Sequence, residues 1–171
     1  MKVQRDFCSL EREYIMNQPR LWTKDFILFS VANFFGGLQF YTLVTVMAVY
    51  AIEQFRASQS VAGFASSIFI LGAVFTRLFA GRYLEVIGRK RLLFGSLIFY
   101  MLITLLYFTA SDVNLLLLVR LLHGAAFGAV NTVLTAAVMS LIPDERRGEG
   151  TGYFSLSATC STAIGPFLGI R

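Results

Sequence analysis

Five runs of this chain carry no charged side chain: Phe26–Ile52, Ala57–Thr76, Leu92–Ser111, Leu121–Pro143 and Gly150–Ile170. Each has roughly the 20 residues that a helix rising about 1.5 Å per residue needs to cross a ~30 Å hydrocarbon core. Leu, Ile, Phe, Val and Ala fill these runs without the alternation of a membrane β-barrel strand. A helix also satisfies its own backbone N–H and C=O groups, which lipid demands. The expected fold is therefore an all-α integral membrane protein with five transmembrane helices. A leader spans 1–25 and a transmembrane bundle spans 26–171. Composition agrees, with 56% hydrophobic and 15% charged residues against about 45–50% and 25% in soluble domains.

The net charge of +5 raises the question of nucleic acid, but the placement of the charges points to a membrane surface instead. Lys2, Arg5, Arg12, Arg20 and Lys24 precede the first run. Arg82, Arg89, Lys90 and Arg91 lie between the second and third, and Arg146 and Arg147 between the fourth and fifth. On the other side, the loop after the first run offers only Arg56 and the loop after the third offers none. The positive-inside rule predicts a multi-pass protein of the cell membrane with a cytoplasmic N-terminus and lipid as its surroundings. No nucleic-acid partner is expected.

Cys8 and Cys160 are too far apart to suggest a disulfide framework or a metal site, and no cofactor or metal is implied. The leader is polar and mixed in charge. Met16 opens a compact start just before the first helix, so the residues ahead of it read either as an upstream extension or as a short tail. The first apolar run is too long for a signal-peptide core and is expected to stay as an anchor. Short connections, Glu53–Arg56, Gly81–Arg91, Ser111–Asn114 and Pro143–Glu149, make consecutive helices antiparallel neighbours.

The connection after the second run reads Gly81-Arg82-Tyr83-Leu84-Glu85-Val86-Ile87-Gly88-Arg89-Lys90. Gly81 and Gly88 permit a tight reversal, with positive φ if needed. A carboxylate there can face helix N-termini, where the dipole favours negative charge. This segment resembles the Gly-x-x-x-Asp-x-x-Gly-Arg-Lys signature of the Major Facilitator Superfamily. Glu85 replaces the usual Asp, and Val86 a commonly basic residue. The resemblance implies a cytoplasmic gate at Gly81, Glu85, Gly88, Arg89 and Lys90.

Two further segments carry the same resemblance. Arg120-Leu121-Leu122-His123-Gly124-Ala125-Ala126-Phe127-Gly128 looks like the family's Arg-x-x-Gln-Gly-x-Gly pattern, with His123 at the Gln position. An arginine inside a membrane helix costs roughly 2.5–3.5 kcal/mol on insertion scales, so Arg120 needs a partner or a wet cavity. Arg120, Gly124 and Gly128 share one face, and the glycines there allow close helix approach. The resemblance implies a coupling role for Arg120, the alternative being that its stem snorkels to the outer interface. His123 can titrate near neutrality, yet the nearby cation disfavours its protonation, which favours a neutral hydrogen-bonding role. Ser161 to Ile170 is similar to the antiporter motif Gly-x-x-x-Gly-Pro-x-x-Gly-Gly, keeping Gly165, Pro166 and Gly169. That implies an exporter, the alternative being a small-residue packing helix of no set transport direction. Asn33 and Tyr41 on the first helix and Asn131 on the fourth are substrate-cavity candidates. Arg77 reads as a snorkelling side chain with no separate function.

The resemblance implies part of the N-terminal six-helix half of a twelve-helix transporter, its partner being the missing C-terminal half. The expected function is secondary active transport, with proton-coupled efflux of small molecules. An uptake carrier or uniporter on the same fold is the alternative, and so is a non-transporting membrane subunit or truncated gene product. Enzymatic activity is not expected: the runs contain no Asp or Glu, and a lone His makes a poor catalytic set.

Overall fold

The structure is a computed structural model that describes residues 20–170. The leader ahead of Arg20, with Cys8 and Met16, lies outside the described residues, as do the side chain of Glu85 and residue Arg171.

Among the described residues five α-helices follow in order: α1 Lys24–Phe55, α2 Gln59–Ile87, α3 Arg89–Leu106, α4 Val113–Met139 and α5 Arg147–Gly169. Single 3₁₀ turns, Tyr107–Thr109 and Asp144–Arg146, sit after α3 and before α5. Three helices start on side-chain caps: Thr23 Oγ1 accepts from the Phe26 N–H at 3.2 Å, Ser58 Oγ from Val61 at 3.4 Å, and an Asp112 carboxylate oxygen from Leu115 at 2.8 Å. Each relieves one of the four orphan N–H groups of a helix start.

Four of these helices are long and apolar enough to cross a membrane: Lys24–Phe55, Gln59–Leu84, Arg89–Thr109 and Val113–Met139. This corrects the expectation of five. α5 has sufficient length at 23 residues, but Gly, Ser and Thr fill nearly half of it. Freedom from charge is not the same as apolarity, and Gly150–Ile170 has only the first. The five-span arrangement, and the half-transporter helix count built on it, therefore do not stand.

The reversal after α2 is also tighter than expected. Gly81 is helical, and α2 runs on to Ile87. Gly88 alone makes the turn, closing α2 with its N–H on Leu84 O at 3.2 Å and opening α3 by accepting from Leu92 N at 3.1 Å. Its φ of +87° and ψ of 145° lie where a Cβ is not tolerated, so a glycine is required.

Two helix pairs set the interior. Ala65, Phe69 and Ala73 of α2 meet Arg120, Gly124 and Gly128 of α4. The constant sequence offset of 55 means that the two helices run parallel and meet once per turn. A Cβ on Gly124 or Gly128 would collide with the backbone carbonyls of Phe69 and Ala73, so the glycines permit the approach. The second pair repeats the device. Asn33, Gly37, Tyr41 and Thr45 of α1 meet Ser157, Ser161, Gly165 and Gly169 of α5, at a constant offset of 124. Pro166 lies inside α5 and removes one internal helix bond, while Thr42 Oγ1 donates to Gly165 O at 3.1 Å.

Phe94, Ile98, Met101, Leu102, Leu105 and Phe108 of α3 and its following turn are exposed. In a membrane helix such a face has lipid as its solvent and costs nothing there.

Candidate functional site

A half-open cavity of about 570 Å³ lies between α1, α2, α4 and α5. Asn33, Gly37 and Tyr41 line it from α1, and Asn131 and Thr135 from α4. Asn33 is buried and donates through Nδ2 to Ser157 Oγ at 2.7 Å. Its amide thus also ties α1 to α5. Phe40 and Phe127 form an aromatic wall, stacked at 5.4 Å and 15°.

Arg77 lines the same cavity, a position that sequence reasoning missed. It crosses laterally from α2 to donate through Nη2 to Asn131 Oδ1 at 3.2 Å. Its Cα lies about 10 Å along the helix axis from Leu84, the end of the span, at 1.5 Å per residue. Arg146–Glu149 and Arg147–Asp144 form salt bridges, and among the described residues no Asp or Glu lines the cavity. The signal available in sequence was the α2–α4 register. The face that brings Gly128 to Ala73 brings Asn131 to Arg77 one turn later.

Arg120 does not line this cavity. It is 0% exposed and turned into the α2–α4 seam. Its Nε donates to Ala65 O at 3.0 Å, and its guanidinium carbon stands 4.6 Å from the centre of the Phe69 ring, a cation–π geometry. Nη1 and Nη2 have no hydrogen-bond acceptor among the described residues. Buried donors are rarely left unmade, because each costs its full desolvation.

His123, also 0% exposed, lies one turn along α4 and faces α3. Tyr107 Oη is 3.1 Å from Nδ1, and Thr104 Oγ1 is 3.3 Å from Nε2. Thr104 spends its own proton on Tyr100 O at 2.9 Å. A neutral ring protonated on Nε2 therefore satisfies every partner: Thr104 accepts from Nε2 and Tyr107 donates to Nδ1. Tyr100 and Phe69 flank the ring at 4.4 and 5.4 Å. His123 is held within the α3–α4 packing and does not reach the cavity.

At the α2–α3 turn, Arg89 and Lys90 form the exposed first turn of α3, and nothing lies within 4 Å of a Cβ built on Gly81 or Gly88. Before α5, Arg146 grips Glu149 with two bonds of 2.8 Å, from Nε and Nη2. That contact holds the Glu149 carboxyl below the usual carboxylate range and raises the Arg146 guanidinium.

Four helices long and apolar enough to cross a membrane define a multi-pass membrane protein. The sequence profile of the Major Facilitator Superfamily matches residues 29–170, and the chain belongs to that family of transporters. It is 32% identical over 89 residues to Multidrug resistance protein 3 of Bacillus subtilis, covering 52% of this chain and 17% of that protein. With Multidrug resistance protein 2 of the same organism it is 23% identical over 146 residues, 85% of this chain and 36% of the relative. An uncharacterized MFS-type transporter of Methanocaldococcus jannaschii is 28% identical over 127 residues, 74% of this chain and 33% of its own length. The chain thus spans between about a sixth and about a third of the curated relatives it matches.

Proposed function

We propose that the protein works as a proton-coupled efflux transporter of small organic molecules, with its N-terminus in the cytoplasm. The observation that carries this reading is the cavity between α1, α2, α4 and α5, which combines aromatic walls with the amides of Asn33 and Asn131. Apolar walls with a few placed polar groups are the usual make-up of a small-molecule site. Family membership and two relatives named for multidrug resistance support transport out of the cell, as do Gly165, Pro166 and Gly169, which hold α5 against α1.

In this reading Asn33, Tyr41 and Asn131 contact substrate. Arg120 couples its movement to protons, because two of its donors are buried and unmet. His123 orients the α4 segment around Arg120. Gly81, Glu85, Gly88, Arg89 and Lys90 form the cytoplasmic gate, with the rest of the transporter as its counterpart. Gly124 and Gly128 keep α2 and α4 close enough to move as one body.

Everted vesicles carrying the intact protein test this with N-phenyl-1-naphthylamine, a neutral apolar fluorophore. An imposed proton gradient is expected to drive saturable uptake that a protonophore abolishes. Uptake that ignores the gradient contradicts the coupling, and uptake equal to that of protein-free vesicles contradicts the transport reading.

A further inference from the structure

Among the described residues Arg77 is the one acidic or basic side chain that lines the cavity, and no described carboxylate lines it. One of its nitrogens, Nη2, is engaged by the neutral amide of Asn131. A neutral acceptor orients the guanidinium without cancelling its charge. Nε and Nη1 have no acceptor among the described residues. Arg77 is exposed to the cavity opening, and a cavity with low-dielectric walls concentrates its field on whatever enters.

The contents of the cavity determine what can answer that field. A cationic substrate would meet repulsion from Arg77 and find no acid among the described lining residues. A neutral substrate would leave the charge unpaired. An oxyanion can take charge-assisted hydrogen bonds from the guanidinium hydrogens that Asn131 leaves free, the strong interaction for this group. Ile70 and Val74 beside the stacked pair Phe40 and Phe127 supply an apolar wall, with neutral hydroxyls and amides on the rest of the lining. The apolar wall suits an aromatic or aliphatic body attached to that anionic group.

We infer that the cavity selects amphipathic organic anions, with Arg77, positioned by Asn131, as the specificity-determining residue. This rests on the transport reading above and narrows its substrate class.

A matched pair of probes isolates the charge. 8-Anilinonaphthalene-1-sulfonate and N-phenyl-1-naphthylamine share one ring system and differ by a sulfonate. Initial rates are measured for both in proteoliposomes of the intact protein, in phosphatidylcholine with and without phosphatidylglycerol. The parent is expected to favour the sulfonate. Arg77→Gln should lower the sulfonate-to-neutral rate ratio about tenfold or more, and Arg77→Lys by less. Asn131→Asp supplies a second route that keeps the arginine. A carboxylate at that position would neutralise Arg77 from within and should lower the ratio in the same way.

A ratio unchanged in both Arg77→Gln and Asn131→Asp overturns the inference, and so does an equal fall for the two probes. Faster transport of ethidium than of the sulfonate by the parent also overturns it. An Arg77 dependence that vanishes when phosphatidylglycerol is present would make a lipid headgroup the occupant and overturn the soluble-anion assignment. In all these cases transport itself persists. Failure to move either naphthyl probe would instead contradict the transport reading.

Discussion

The Nε of Arg120 reaches across the α2–α4 seam to the carbonyl of Ala65 at 3.0 Å. The contact begins a parallel register that continues through Phe69–Gly124 and Ala73–Gly128 to Arg77–Asn131 at 3.2 Å. One run of contacts thus links a buried, under-satisfied cation to the charged wall of the cavity. Movement of α4 along α2 would disturb both arginines together.

The register predicts opposite outcomes for two glycines. Gly124→Ala drives a Cβ into the Phe69 carbonyl, with backbone on both sides. Forced overpacking of this kind costs about 1–3 kcal/mol. Gly63, on the same two-helix unit, has nothing within 4 Å of its would-be Cβ, and alanine there gains up to about 1 kcal/mol of helix propensity. Thermal unfolding in detergent should show Gly124→Ala melting below the parent and Gly63→Ala at or above it.

Much of this fold is legible in the chain because lipid leaves few options. Charge-free runs of spanning length become helices, and Gly88, followed by Arg89 and Lys90, reverses the chain as its residue types allow. The misreadings have physical causes. α5 lacks charge but is rich in small polar residues, which shorten apolar area without adding a charge to mark it. Gly81 looks like part of a turn, yet a single helical glycine costs only about 1 kcal/mol and α2 passes through it. Arg77 looked like a snorkelling side chain because its partner Asn131 is 54 residues away. No local pattern reveals that pairing until the α2–α4 register is known. Asn33, Tyr41 and Asn131 lie on one cavity because helical spacing puts Asn33, Gly37 and Tyr41 on a shared face.

The orientation proposed above rests on the unequal sharing of basic residues between the two sides. With Cys8 and Cys160 replaced, a single cysteine at position 82 should resist a membrane-impermeant maleimide in sealed cells and react once the membrane is opened. A cysteine at position 54 should react from outside in both conditions. Reversal of this pattern would invert the orientation proposed for the N-terminus.

The Arg146–Glu149 pair predicts a pH dependence of known sign. Its contact holds the Glu149 carboxyl below its ordinary value, so any stability it contributes is present above the unfolded carboxylate pKa, about 4.3. That contribution is lost as pH falls through the lower folded value. Glu149 is exposed, and solvent screening keeps the effect small. The difference in melting midpoint between the parent and Glu149→Gln should be largest near neutrality and should close under acid conditions. A difference that grows on acidification would contradict the pairing.

Arg120 carries the central claim that this is a gradient-coupled transporter, since a fully buried cation with two unmet donors is costly unless it is used. Arg120→Lys keeps the charge but loses the planar fork, and Arg120→Ala loses both. The deciding measurement is gradient-driven efflux of a fluorescent substrate by the intact protein, normalised to its abundance in the membrane. Both variants are expected to reach the membrane near parental levels, with Ala lowering efflux by roughly a hundredfold, the ~2.7 kcal/mol expected of a lost charge-assisted contact, and Lys falling between. Full activity in Arg120→Ala would contradict that claim and leave Arg120 as a packing residue of the α2–α4 seam.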